Sequence, residues 1–124
     1  MGTTWRTAPN GARFEAAQTP AELAAARGVL ALVSPVRVVE LGTWHYGFCA
    51  EVHAVLPECE IVTFDHLVRV LTVEQMAWME GWLRSIQADV HNQPWIITDE
   101  LSREVSGPTL LWCDAGRRLL LVQQ

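Results

Sequence analysis

The distribution of apolar and polar positions divides the chain into a few clear elements. Residues 36–41 (VRVVEL) are apolar on both faces apart from Arg37 and Glu40. That is the pattern of a central parallel strand covered by helices on both sides. Residues 60–64 (EIVTF) read as a second strand. Between them, residues 47–56 put Phe48, Val52 and Leu56 on one helical face, and Pro57-Glu58 ends the run. Gly42–Tyr46 is left as the turn. A helical crossover makes the two strands parallel, with a right-handed connection.

The flanks are read in the same way. Thr19-Pro20-Ala21-Glu22 is a capping box with proline at the first helical position. Leu23, Ala26, Leu30 and Val33 then share a face, so a helix is predicted to about residue 33, stopped by Ser34-Pro35. Thr72 caps another helix, predicted over 73–90 because Met76, Met79, Leu83, Ile86 and Val90 recur every three or four positions. Trp78 and Trp82 lie one turn apart beside that stripe and read as core or subunit contact. Residues 91–94 (HNQP) break the helix. Residues 95–98 (WIIT) predict a short strand ending at Asp99, with a short helix over 99–105. Residues 109–113 (TLLWC) predict another strand, ending at Asp114. Residues 118–124 read as a returning strand or a helix start, and 65–71 as a loop or a short extra strand over 67–71. Residues 1–18 are expected to form a loosely ordered arm tacked down by Trp5 and Phe14, and 19–124 a single domain. The expected fold class is α/β: a Rossmann-like three-layer sandwich with a short, mostly parallel sheet.

Composition narrows the function classes. A chain of 124 residues suits one domain. A net charge of −5 without a basic block argues against a nucleic-acid partner. The apolar runs fall far short of the roughly 20 residues that span a bilayer, and the first 20 residues lack the apolar core of a signal peptide. Cys49, Cys59 and Cys113 form no C-x-x-C pair, so neither a zinc knuckle nor a disulfide framework is indicated. A reducing, cytoplasmic setting is the expectation.

Candidate chemistry gathers at one edge. Asp65, Asp99 and Asp114 fall at predicted carboxyl ends of strands, and Glu40 just precedes the first turn. Ligands of open parallel sheets bind at that edge. Acids there suit ribose diols, an ammonium group, a sulfonium or a metal ion. Aspartate also commonly begins turns and caps helices. His45 and His53 are the nearest candidate bases.

The stretch VVELGTWHYGFCAEVHAVLPECEIVTFD resembles the first half of a class I S-adenosylmethionine (SAM)-dependent methyltransferase, of the small-molecule O-methyltransferase and cephalosporin-hydroxylase-like branch. GPTLLWCDAG resembles the fourth strand of the same family. The resemblance implies that Glu40 lies near the ammonium of the cofactor's methionine moiety. It implies that Gly42 and Thr43 let the backbone approach the cofactor, that Gly47 opens the helix, and that Asp65 accepts both ribose hydroxyls. Asp99 would lie near the adenine edge. Asp114 would sit beside the methyl group, binding a divalent metal or orienting the acceptor hydroxyl, with His45 as the other candidate base. Trp44 and Tyr46 stand where the family prefers glycine. They either stack on the cofactor or fill its pocket.

The implied function is a SAM-binding protein, a small or truncated methyltransferase acting on a small molecule. The alternatives are a non-catalytic oligomerising or partner-binding module and a small enzyme acting on SAM itself. The chain is short for a whole methyltransferase sheet, so its open edge is expected to be closed by residues 119–124 (LLLVQQ) or by another subunit. With six tryptophans, a homo-oligomer is expected.

Overall fold

The computed structural model describes residues 4–66, 70–90 and 92–113. The chain opens with an antiparallel hairpin, β1 (Thr4–Thr7) and β2 (Arg13–Ala16), where a loosely ordered arm was expected. Phe14 and Ala16 of β2 are buried, so alternate residues of the hairpin give it an apolar face to dock with. Helix α1 (Pro20–Val33) starts at the predicted capping box: Thr19 and Glu22 each donate a backbone N–H to the other's side-chain oxygen. It ends at Ser34, in the left-handed conformation before Pro35.

The central strand β3 (Arg37–Leu41) is buried along its whole length. Helix α2 (Gly47–Val55) returns the chain to β4 (Glu60–Asp65), parallel to β3. Thr72 then caps α3 with a reciprocal bond to Gln75, as predicted, but α3 spans only Val73–Met79. The predicted helix over 73–90 fails at Gly81, whose φ of +94° turns the chain out of the helix. Residues Leu83–Gln87 become strand β5, paired parallel to β4. The reverse exchange follows: residues 95–98, expected as a strand, open α4 (Trp95–Ser102), with Asp99 inside that helix. Strand β6 (Thr109–Cys113) forms where predicted and pairs parallel to β3. Residues 67–69 and 114–124, including Asp114 and the predicted returning tail, lie outside the described residues.

The sheet has the order β5-β4-β3-β6, all parallel. On one face, Val38 and Ile61 pack with Leu23, Ala26 and Leu30 of α1 and Phe48, Cys49 and Val52 of α2. On the other, Val39, Leu41, Val62 and Phe64 pack with Ala88, Val90, Ile96 and Ile97. The chain steps outward from β3 to β4 to β5, and α4 then carries it back to β6 on the other side of β3. The end of β3 is therefore the point where the connections diverge, the place where such sheets bind ligands. Among the described residues, no helix is long and apolar enough to cross a membrane.

At the opposite, amino end of the strands, buried Arg37 fastens α4. Its guanidinium donates to the Glu100 carbonyl at 2.9 Å and the Thr109 hydroxyl at 2.9 Å, and lies 3.4 Å from the Glu100 carboxylate. Glu100 also accepts from Arg84 at 2.6 Å and from Arg103 at 2.9 Å. Burial pushes the Glu100 carboxyl up, but hydrogen bonds from Arg103 and Arg84 outweigh it and hold the group below its ordinary value. A carboxyl depressed by folding stabilises the fold above its unfolded pKa, and that contribution is lost as pH falls through the folded value. Glu100→Gln strands the buried Arg37 charge and should cost about 3 kcal/mol at neutral pH. In denaturant titrations the gap from the parent should shrink below the ordinary glutamate range. A gap that is constant with pH would refute the charge pairing.

Candidate functional site

The carboxyl edge is built around the turn after β3. Gly42 leaves the strand with a φ of +95° and donates its N–H to the Phe64 carbonyl at 2.8 Å. Trp44 (φ 55°) and Tyr46 (φ 68°) also take left-handed conformations. The backbone thus has the shape that glycines adopt freely, imposed on two bulky residues at about 1 kcal/mol or more each. Local bonds offset that strain. The Trp44 N–H donates to the Asp65 carboxylate at 3.0 Å. The Tyr46 hydroxyl is 3.0 Å from the Ser85 hydroxyl, and its ring is buried with Phe14, Ala50 and Met79. The Tyr46 ring therefore belongs to the core beside α2 and does not line the crevice described below.

Glu40 lies beneath the turn and is 1% exposed. One of its carboxylate oxygens accepts from the Cys49 thiol at 2.9 Å and from the Thr63 hydroxyl at 2.9 Å. Thr63 has a single proton, committed to Glu40, so the 2.6 Å contact between Thr43 and Thr63 is donated by Thr43. Burial pushes the Cys49 thiol well above its ordinary value, and the neighbouring Glu40 charge adds to this. Cys49 is accordingly a protonated donor and not a nucleophile. Cys49 and Thr63 were not singled out from sequence. The strand register is the signal that finds Thr63, since it stands directly opposite Glu40.

Asp65 ends β4, with one oxygen bonded to Trp44 and the other 3.4 Å from the His66 imidazole. Gly47 begins α2 directly against β2: a Cβ there would overlap the backbone of Glu15 and Ala16. A parallel bridge joins Glu15 to Tyr46 at the same point. The demand for glycine at this position comes from the chain's own hairpin. Between the turn and residues 15–18 lies a crevice walled by Glu40, Gly42, Thr43, Trp44 and Gly47, too narrow to hold a water molecule.

The structure therefore brings together Glu40, Gly42, Thr43, Trp44 and Gly47, and ties Asp65 to them through the Trp44 N–H. His45 is exposed beside the turn and faces a separate cavity shared with the hairpin. Asp99 is exposed in the interior of α4, not at a strand end. Among the described residues, no cluster of three or more His, Cys, Asp or Glu could hold a metal ion.

No family model and no curated protein sequence matches the chain. In fold, it is similar to CmcI. A CmcI structure with SAH aligns with a TM-score of 0.65 at 18% identity, covering 95% of this chain and 57% of that one. An Mg-SAM form of CmcI gives 0.61 at 19% identity, covering 85% and 45%. A CmcI apo structure gives 0.67 at 18% identity, covering 95% and 49%. The chain spans about half the length of the CmcI chains it matches. The Rossmann-like fold implied by the sequence resemblance is the fold observed, at smaller size.

Gly47→Ala should push β2 off α2 and cost about 1–3 kcal/mol. In hydrogen exchange, the hairpin amides should lose protection before those of β3. Gly28→Ala, in α1 where an added Cβ meets nothing within 4 Å, should be neutral or stabilising. Equal stability of the two variants would show that the hairpin does not press on Gly47.

Proposed function

We propose that this chain binds SAM at the carboxyl edge of its sheet and serves methyl transfer to a small molecule. The observation that supports this best is the placement of two acids, Glu40 and Asp65, at the ends of adjacent strands and around one turn at the point where the sheet's connections diverge. A carboxylate offers about four acceptor positions, enough for Asp65 to serve Trp44 and the two ribose hydroxyls together. The buried Glu40 charge draws the ammonium group toward the turn. Gly42 lets the backbone approach, and the Trp44 indole offers a face to a cation. The likeness in fold to CmcI, whose solved structures include SAH and Mg-SAM forms, is consistent with this assignment.

Bound SAM supplies an activated methyl group. The chain's own part is to hold the reactants in line, and the acceptor's proton leaves to solvent, since His45 faces a separate cavity. No step is assigned to a metal. The polar groups fit the cofactor, but the crevice is too narrow for it while residues 15–18 lie against the turn. The free thiols Cys49, Cys59 and Cys113 suit the reducing cytoplasm.

That closed crevice favours a second reading, a non-catalytic module that assembles with copies of itself. In that reading the copies meet along β6, where Leu111 is 45% exposed among the described residues.

Calorimetric titration with SAM and SAH separates the two. Both should bind, and Asp65→Ala should weaken binding at least about tenfold while the unfolding midpoint holds. Asp65→Asn, which keeps an acceptor for the Trp44 N–H, should fall in between. Failure of the parent to bind either ligand would overturn the SAM reading. Sedimentation of the same sample would then show whether the chain self-associates.

A further inference from the structure

The cavity beside His45 is lined by the hairpin and the turn, and neither Glu40 nor Asp65 is among its walls. It holds about 200 Å3 and is walled by Trp5, Arg13, Glu15, His45, Tyr46 and Gln75. Two of these walls are already engaged by the protein. The Gln75 amide donates to the Arg13 carbonyl at 2.7 Å and accepts from the Thr72 N–H at 2.9 Å. The Tyr46 hydroxyl is engaged with Ser85.

The charged walls are not spent. Among the described residues, neither Arg13 nor Glu15 forms an ion pair, with each other or with any neighbour. They stand two residues apart on one face of β2. The Arg13 guanidinium lies 4.4 Å above the Trp5 ring. Stacking uses the face of the guanidinium and leaves its in-plane N–H fork open to a carboxylate. Trp5 and Glu15 face each other across the hairpin, so the cation clamp and the acid share one rigid ribbon.

We propose that this cavity binds a small aromatic zwitterion, an α-amino acid or a near relative, with its carboxylate on Arg13 and its ammonium on Glu15. One uncommitted cation and one uncommitted anion at neighbouring positions match a ligand carrying both charges better than a simple anion or cation. The remaining wall, formed by Trp5, Tyr46 and Leu71, is aromatic and apolar and suits a flat side chain. His45, on the same wall, offers an imidazole to a ring hydroxyl. The site uses neither Glu40 nor Asp65, and its one wall shared with the crevice is Glu15.

The test titrates the full chain with L-tyrosine, tyramine and p-hydroxyphenylpropanoate at millimolar concentrations, following the Trp5 indole N–H by NMR. L-tyrosine should shift that signal saturably, with each single-charge relative about tenfold weaker or worse, as expected for loss of one charge-assisted bond. Arg13→Gln should erase the advantage of tyrosine over tyramine. Glu15→Gln should erase its advantage over p-hydroxyphenylpropanoate. Both side chains point away from the core, and unchanged unfolding midpoints would confirm that the variants fold. Arg13→Lys, which keeps the charge but not the planar fork, should retain part of the affinity. The absence of a saturable shift, equal affinity for the three probes, or indifference to both substitutions would overturn the proposal.

Discussion

The burial of one carboxylate at the end of the central strand constrains everything around it. A carboxylate removed from water is costly unless it is hydrogen-bonded, and the neighbours that bond Glu40 come from different elements. Cys49 belongs to α2, Thr63 to β4, and Thr43, through Thr63, to the turn itself. One side chain thereby fixes the helix, the adjacent strand and the loop relative to one another. Arg37, three positions earlier on the same strand and on its opposite face, does the same for α4 through Glu100 and Thr109. β3 thus carries a buried acid toward one end and a buried base toward the other. Each holds a different layer of the sandwich to the sheet.

The turn takes its shape from the same economy. Its left-handed residues at Trp44 and Tyr46 are strained as isolated dipeptides, and they are held by partners outside the turn: Asp65 on β4, Ser85 on β5 and the β2 backbone. The aromatic side chains serve the hydrophobic interior more than the edge. Tyr46 joins the cluster of Phe14, Ala50 and Met79, which bonds the hairpin to α2 and α3. Nearby, the His53 ring stacks on Trp82 at 4.0 Å and meets Trp78 edge-on, while Phe14 contacts Trp78. Of the two readings their spacing allowed, core or subunit contact, Trp78 and Trp82 take the first at these contacts.

Much of this architecture is legible in the residues. The two capping boxes at Thr19 and Thr72, the doubly apolar strands around Val38 and Ile61, and the intervening helix are each specified by local chemistry, and each appears where the pattern puts it. The pattern misleads where two periods coincide. Leu83 and Ile86 continue the stripe of Met76 and Met79 at helical spacing, yet they also seat a strand, and Gly81 decides between them. Ile96 and Ile97 look like strand residues, but on α4 both meet the sheet. The hairpin is invisible for another reason. Its short strands carry mixed polar residues, and their docking depends on the absence of a side chain at Gly47, some thirty residues away. At the edge, Glu40 and Asp65 were legible from their places after apolar runs. The hydrogen-bond chain through Cys49 and Thr63 was not, because it exists only once the strands are in register.

The hairpin has a practical side. Thr4 pairs with Ala16 and its hydroxyl donates to the Gln18 carbonyl at 2.9 Å, while both Ala16 and Gln18 wall the crevice over Glu40. A label attached within β1 is therefore coupled, through this latch of two contacts, to the segment that walls the crevice. Attaching the label through the exposed outer face of α1, around Leu32, would leave that latch undisturbed.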